Sequence, residues 1–193
     1  RVHGDSVVLD IEWTAVVLLP DGQIPNRIYE PGEEIFVLLK QISKWQWGIV
    51  LEINQSSTEY IEAILRKIVP EFEEWVVTIE KIVRIPWKKT KIIVVSNDEK
   101  IDPVGVMVWS KWDRINTVLS LLDGEKVDFI ENSEDPIQMI KNCLKPAQIN
   151  SIDIKEKRAI VVMDDSQKAL AIGKWASNIK LACQLTGYQI EIK

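Results

Sequence analysis

The chain has 193 residues, with 24 basic and 29 acidic side chains, a net charge of −5 and 46% hydrophobic residues. This composition excludes a disordered chain, and the acidic balance disfavours indiscriminate binding of polyanions, although local basic patches remain compatible with it. No apolar run approaches the ~20 residues that cross a bilayer, and the sequence begins without a signal-peptide pattern. We therefore expect a soluble, cytoplasmic protein without a membrane partner.

Residues suited to catalysis or metal binding are scarce. The single histidine, His3, stands near a terminus, and the two cysteines, Cys143 and Cys183, lie in apolar sequence without a C-x-x-C spacing. Reduced cysteines fit a cytosolic protein better than a disulfide or a metal site. We therefore expect no enzymatic activity, no metal and no cofactor.

The first 57 residues, the N-terminal unit, carry short strands separated by turn signals. Residues 7–19 are rich in β-branched side chains, and further strands are predicted over residues 35–39 and 49–53. Short strands at this spacing are typical of a small barrel. Because the sequence opens on a Gly4-Asp5 turn, we expect a barrel whose first strand is missing, as in a truncated chain.

Residues 58–134, the first unit, predict the element order α-β-β-α-α-β. A helix preceded by capping serines is followed by strands over residues 76–85 and 91–95. Asp102-Pro103-Val104-Gly105 precedes helical sequence that ends at Asp123-Gly124, and a strand follows over residues 127–130. The same order repeats in residues 135–193, the second unit, so the sequence contains an internal duplication.

Each unit places a short lysine-bearing linker between two helices. The first linker is Val108-Trp109-Ser110-Lys111-Trp112-Asp113-Arg114-Ile115, and the second is Ile172-Gly173-Lys174-Trp175-Ala176-Ser177-Asn178. A unit of this order with such a linker resembles a KH module of the bacterial topology. KH modules clamp about four nucleotides with a Gly-x-x-Gly loop, in which a Cβ would keep the backbone away from phosphates.

With a barrel followed by two such units, essentially the whole chain resembles the RNA-binding region of the NusA family of transcription factors. The resemblance rests on Leu19-Pro20, Gln23-Ile24-Pro25, Arg84-Ile85-Pro86, Lys89-Thr90-Lys91, Ser96-Asn97-Asp98, Asp102-Pro103-Val104-Gly105, Gly124-Glu125-Lys126-Val127-Asp128, Asp164-Asp165, Leu170-Ala171-Ile172-Gly173-Lys174 and Leu185-Thr186-Gly187. It implies an α+β fold with a truncated OB-fold barrel (1–57) and two tandem KH domains (58–134 and 135–193).

The resemblance also implies a function. The expected partner is single-stranded nascent RNA, and the expected role is modulation of transcriptional pausing, termination and antitermination by a monomer. RNA polymerase would be reached through an N-terminal domain that is absent from this chain. The residues expected to bind RNA are Trp109, Ser110, Lys111, Trp112, Arg114, Gly173, Lys174, Trp175, Ala176, Asn178 and Lys180.

The turn between the strands of the first unit is basic. Lys81, Arg84, Lys88, Lys89 and Lys91 either contact RNA or form an exposed charged turn, and the sequence favours neither interpretation.

Tryptophan is as frequent as glycine, with eight copies of each. The family has glycine where this chain has Trp109 and Trp112, and commonly at the other tryptophans. We hypothesise that all eight are UGA codons that the source organism translates as glycine. The alternatives are genuine aromatic side chains that stack on bases, or a degenerate KH scaffold for protein interaction whose loops tryptophan blocks.

Overall fold

The structure is a computed structural model that describes residues 1–12, 14–46, 48–73, 76–98, 100–109 and 112–193. It is a mixed α/β chain in which the three predicted units follow one another. None of the helices in these residues is long and apolar enough to span a membrane.

The N-terminal unit contains two small antiparallel sheets. The strands are β1 (Val2–His3), β2 (Ser6–Ile11), β3 (Thr14–Leu18), β4 (Leu38–Trp45) and β5 (Gly48–Asn54). The first three strands form one sheet and the last two form the other, so the described strands form no closed barrel.

The barrel prediction is therefore not confirmed, and the strand predicted over residues 35–39 is wrong for its first three residues. Ile35 and Val37 pack against the small apolar core of this unit, but strand pairing begins only at Leu38. Their apolar character reflects burial rather than a place in a sheet.

The first unit has the predicted order with one addition. Its elements are α1 (Thr58–Ile68), α2 (Pro70–Glu73), β6 (Val77–Ile85), β7 (Lys89–Ser96), α3 (Pro103–Trp109), α4 (Trp112–Leu121) and β8 (Lys126–Glu131). The predicted cap is confirmed, because the Tyr60 backbone N–H donates to the Ser57 hydroxyl at the start of α1. The short helix α2 was not predicted; it begins at Pro70, and proline is well tolerated at a first helical position.

The second unit repeats this topology. Its elements are α5 (Pro136–Leu144), β9 (Ser151–Lys155), β10 (Arg158–Val162), α6 (Asp165–Ile172), α7 (Ser177–Thr186) and β11 (Gln189–Ile192). In each unit the first two strands pair antiparallel and the third pairs parallel with the second, in the orders β6-β7-β8 and β9-β10-β11. The internal duplication is thus present in three dimensions.

A shared hydrophobic core joins the two repeated units. Successive side chains of β7 point to opposite faces of its sheet. Ile92 and Val94 belong to the core formed with helices α1 and α4, whereas Ile93 belongs to the core of the second unit, which includes Ile140 and Leu185. The sheet of the first unit is therefore covered on both faces, on one of them by the second unit.

A buried ion pair ties the first unit to the end of the N-terminal unit. The Arg84 and Glu125 side chains are 1% and 0% exposed, and their charged atoms lie 2.9 Å apart. Arg84 Nη1 also donates to the carbonyl oxygens of Gln55 and Ser57, at 2.8 and 2.6 Å. One guanidinium group thus links a strand, a turn and the segment that enters α1.

Candidate nucleic-acid interface

The second linker forms a tight loop between α6 and α7. Helix α6 ends at Gly173, whose backbone angles are φ 73° and ψ 167°. A tight turn over Lys174–Ala176 follows, in which Trp175 and Ala176 have φ of 59° and 56°. The chain therefore reverses through three left-handed residues, which is the kind of backbone that glycine adopts without strain.

Gly173 is needed for space as well as for its backbone angles. A Cβ at this position would lie 2.7 Å from the Asn178 Cβ and 3.1 Å from the Asn178 backbone nitrogen. The loop consequently rests directly on the first turn of α7, and a side chain at Gly173 would force them apart.

Asn178 lies behind the loop rather than on its surface. The residue is 2% exposed, and its side-chain Nδ2 donates to the carbonyl oxygens of Leu170 and Ala171, at 3.3 and 3.1 Å. Its Oδ1 is buried without a hydrogen-bond partner. The sequence predicts that Asn178 binds RNA, but its geometry is that of a residue that positions the loop by holding the end of α6.

The outer surface of this loop suits an anion. Lys174, Trp175 and Lys180 are exposed, and no side chain caps the N-terminus of α7, because Ala176 occupies the capping position. The first backbone N–H groups of a helix lack intrahelical partners and carry the positive end of its dipole. The loop thus places lysine side chains beside the positive end of the α7 dipole, where the Ser177 backbone N–H donates to the Lys174 carbonyl oxygen.

The first linker is described only at its two ends. Helix α3 ends at Trp109 and α4 begins at Trp112, so the two helices meet where the sequence predicts. Ser110 and Lys111 lie outside the described residues, as do the side chains of Trp109, Trp112 and Arg114. Their expected role in RNA binding stays a prediction.

The Asp-Pro-Val-Gly segment has a structural explanation. Asp102 caps α3, because the Val104 backbone N–H donates to its Oδ1 at 3.0 Å. A Cβ at Gly105 would lie 2.6 Å from the Asp102 Oδ2, so glycine leaves room for the capping carboxylate. The segment fixes the start of the helix that leads into the first loop.

The five basic residues predicted at the turn between β6 and β7 form what we call the basic hairpin: Lys81, Arg84, Lys88, Lys89 and Lys91. Most of their charges are neutralised inside the protein. Arg84 pairs with Glu125, and Lys89 and Lys91 both pair with Asp128, at 2.7 and 2.8 Å. The Lys91 side chain is 1% exposed, and this burial lowers its pKa, although the Asp128 carboxylate opposes the shift. Neither of the two interpretations left open from sequence describes the buried Arg84 and Lys91.

The other two lysines of the hairpin differ from each other. Lys81 Nζ donates to the carbonyl oxygens of Gln184 and Leu185 at the end of α7, at 3.0 and 2.9 Å, so it secures the second unit. Lys88 is exposed at the hairpin tip and forms no ion pair within the described part of the chain. Lys88 therefore keeps a charge that a ligand can reach.

Two of the tryptophans have glycine-like backbone angles. Trp87 and Trp175 have φ of 64° and 59°, a conformation that strains a residue with a Cβ. Trp45 is the last residue of β4, whereas Trp109 and Trp112 stand at helix ends. Trp13, Trp47 and Trp75 lie outside the described residues. The idea that all eight are translated as glycine stays a hypothesis, which the angles at these two positions favour.

We expect Trp87→Gly and Trp175→Gly each to raise the free energy of unfolding by about 1 kcal/mol, because glycine relieves the left-handed strain. Trp45→Gly is the control, because Trp45 ends β4 without a positive φ. Glycine relieves no strain there and should lower the free energy of unfolding by about 0.5–1 kcal/mol. Urea denaturation of the three variants measures the signs, and destabilisation by all three would contradict the glycine-like character of the two turns.

The comparisons with known proteins agree with this geometry. The description "NusA-like first KH domain" matches residues 55–132, and "NusA-like second KH domain" matches residues 136–193. The chain is 39% identical over 173 residues to the Transcription termination/antitermination protein NusA of Thermus thermophilus. It is 37% identical over 174 residues to the protein of that name from Borreliella burgdorferi, and 32% identical over 195 residues to that from Bacillus subtilis.

These alignments cover most of this chain but only part of each relative. They include 89%, 89% and 100% of the chain, and 45%, 36% and 53% of the Thermus, Borreliella and Bacillus proteins. The chain thus spans about half the length, or less, of the relatives it matches. The two matched KH descriptions, the repeated topology and the loop at Gly173 together identify the chain as a member of the NusA family.

Proposed function

We propose that the second loop binds single-stranded RNA through its phosphates. The observation that carries this proposal is the loop itself, in which exposed Lys174 lies beside the uncapped N-terminus of α7. Gly173 lets the loop pack directly on α7, and Ala176 carries only a methyl group where the KH clamp has its second glycine. Lys174, Trp175 and Lys180 provide the outer contacts, while Asn178 supports the loop from behind.

The first loop extends this surface in the proposal. The linker between α3 and α4 has the same place in the element order as the linker between α6 and α7, and the proposal therefore includes Trp109, Ser110, Lys111, Trp112 and Arg114. The domain boundaries proposed from sequence, 1–57, 58–134 and 135–193, keep each loop within one KH domain. The N-terminal unit would complete the RNA-binding region as part of an OB-type barrel.

The biological role follows from the relatives, which are named transcription termination/antitermination proteins. We propose that this chain supplies RNA contacts to a factor that modulates pausing, termination and antitermination. RNA polymerase would be engaged by another part of such a factor. A monomer suffices for this role, because both loops belong to one chain.

Lys174→Glu tests the proposal. We expect it to weaken the binding of a pool of random single-stranded RNA, about 12 nucleotides long, by about tenfold, because a phosphate contact becomes a repulsion. Lys157→Glu is the matched control, since Lys157 is also exposed but lies at the hairpin tip of the second unit. Fluorescence anisotropy at several salt concentrations measures both the affinity and its salt dependence.

Two results would overturn the proposal. One is the absence of salt-dependent RNA binding by the unchanged chain. The other is an equal loss of affinity for Lys174→Glu and Lys157→Glu, which would indicate a general charge effect. RNA-independent capture of a protein partner, lost on substitution of Trp109 or Trp112, would instead favour the scaffold.

A further inference from the structure

Helix α7 connects the second loop to the first unit. It begins at Ser177, directly after the loop, and Ala182 and Leu185 in its second half are buried in one core with Ile93 of β7. Val83 of β6 packs against the same core. One end of this helix therefore carries the proposed RNA-binding loop, while the other end lies against the neighbouring unit.

The last carbonyl groups of α7 need partners from outside the helix. The structure describes every residue from 177 to 193, and the N–H groups that would continue the helical pattern are engaged elsewhere. The Tyr188 N–H, four residues after Gln184, donates to the Thr186 hydroxyl at 3.3 Å. The Gln189 N–H, four residues after Leu185, donates to a hairpin carbonyl at 2.7 Å. The backbone of the helix thus leaves these two carbonyls without a donor.

Lys81, on β6 of the first unit, supplies that donor. Its Nζ donates to the Gln184 and Leu185 carbonyl oxygens at 3.0 and 2.9 Å, although 103 and 104 positions separate these residues in sequence. The C-terminus of a helix carries the negative end of its dipole, so an ammonium group is favoured there by charge as well as by hydrogen bonding. Lys81 therefore caps α7 from another unit.

The loop end of α7 has no cap of its own. Ala176 occupies the capping position with a left-handed backbone, and no side chain accepts from the first N–H groups. Such a start is less stable than one capped by Ser, Thr, Asp or Asn. The order of the first turn consequently depends on contacts made further along the helix, and the Lys81 cap is one of them. A loop that is ordered before binding loses less entropy when it binds.

We propose that Lys81 is a positioning residue for RNA binding by the second loop. By capping the C-terminus of α7 it keeps the first turn of the helix, and the adjoining Lys174, in the arrangement that receives a phosphate. The inference rests on the proposed RNA binding by this loop. Lys81 itself does not touch the RNA, because it lies at the far end of a ten-residue helix, which is about 15 Å long.

Two substitutions of Lys81 test this role. Lys81→Met keeps the alkyl stem and removes the donors, so the affinity for random single-stranded RNA of about 12 nucleotides should fall about threefold. The slope of log affinity against log salt should stay the same, because no phosphate contact is lost. Lys81→Arg should bind within about 1.5-fold of the unchanged chain, since a guanidinium group can donate to both carbonyls.

Lys155→Met is the matched control. It removes one charge from an exposed lysine of β9, whose Nζ lies 3.7 Å from the Asp153 carboxylate instead of at a helix end. Its RNA affinity should stay within about 1.5-fold of that of the unchanged chain. Amide hydrogen exchange without RNA is the second readout: exchange in α7 should be about threefold faster in Lys81→Met than in Lys155→Met, and equal in α1, because the loss of a cap loosens one helix locally.

The results distinguish failure of this role from failure of RNA binding. If the unchanged chain binds no RNA, the proposed function is wrong. If Lys174→Glu weakens binding while Lys81→Met behaves like Lys155→Met, the loop binds RNA and Lys81 does not position it. A salt slope lower by about one for Lys81→Met would also overturn the inference, because Lys81 would then contact a phosphate itself.

Equal weakening by Lys81→Arg and Lys81→Met would likewise contradict the cap. Weakening by Lys81→Met at an unchanged salt slope, with normal binding by Lys81→Arg and faster exchange in α7, supports it. Circular dichroism checks that each variant is folded. Lys81→Gln, which keeps a polar side chain at this exposed position, replaces Lys81→Met if that variant does not fold.

Discussion

Glu125→Ala is expected to lower the free energy of unfolding by about 3–5 kcal/mol. The substitution leaves the buried guanidinium of Arg84 without its counter-ion. It also removes the acceptor of the Trp87 backbone N–H, which donates to the Glu125 Oε2 at 2.7 Å, and of the buried Thr90 hydroxyl. Each buried group left without a partner adds to the loss, and denaturant unfolding measures the sum.

The same kind of ion pair elsewhere in the chain provides the control. Arg158 and Glu191 lie 2.8 Å apart, but their side chains are 63% and 44% exposed. Water can solvate Arg158 after Glu191→Ala, so we expect a change below about 1 kcal/mol. Similar losses for Glu125→Ala and Glu191→Ala would show that burial of the Arg84 pair is not what makes it important.

Gly173→Ala is expected to lower the free energy of unfolding by about 2–4 kcal/mol. The backbone at φ 73° and ψ 167° belongs to a region that is essentially restricted to glycine. The new methyl group would also lie 2.7 Å from the Asn178 Cβ, on a side chain that is held by two carbonyl groups. Relief of this contact requires the loop to move away from α7.

Gly187→Ala separates the effect of backbone angles from that of crowding. Gly187 ends α7 in the left-handed conformation, with φ 75° and ψ 10°, and a Cβ there would meet no atom within 4 Å. Its replacement should lower the free energy of unfolding by about 1 kcal/mol. If the two alanine variants lose equal stability, the close approach of Asn178 has no energetic weight.

The order of the elements was predictable from sequence where local signals specify it. Ser57, Asp102-Pro103 and Gly187 mark helix ends through their own chemistry, and the apolar spacing between such signals defines the helices. Because the same signals occur twice, the sequence also indicates the duplication of the α-β-β-α-α-β unit. The same local logic located the second loop, because Gly173 and Lys174 lie between two such helices.

Features that depend on distant partners were not predictable in this way. The basic hairpin looked like a single charged surface, yet Arg84 finds its acceptor 41 residues away and Lys91 finds Asp128 37 residues away. Asn178 stood among the loop residues in sequence, and only the fold reveals that it faces the carbonyl groups of α6. The barrel expected over residues 1–57 depended on strand pairing across long loops, which periodicity does not specify.

The double burial of β7 has a consequence for how a long ligand is captured. Because Ile92 and Ile93 pack on opposite faces of one strand in two cores, the two halves of the duplicated region share a buried strand rather than a linker. A chain molecule gripped at one half then presents its next segment to the other at high effective concentration, without the entropy loss of a flexible tether. A fixed distance between the two halves favours ligands whose extended length matches that distance.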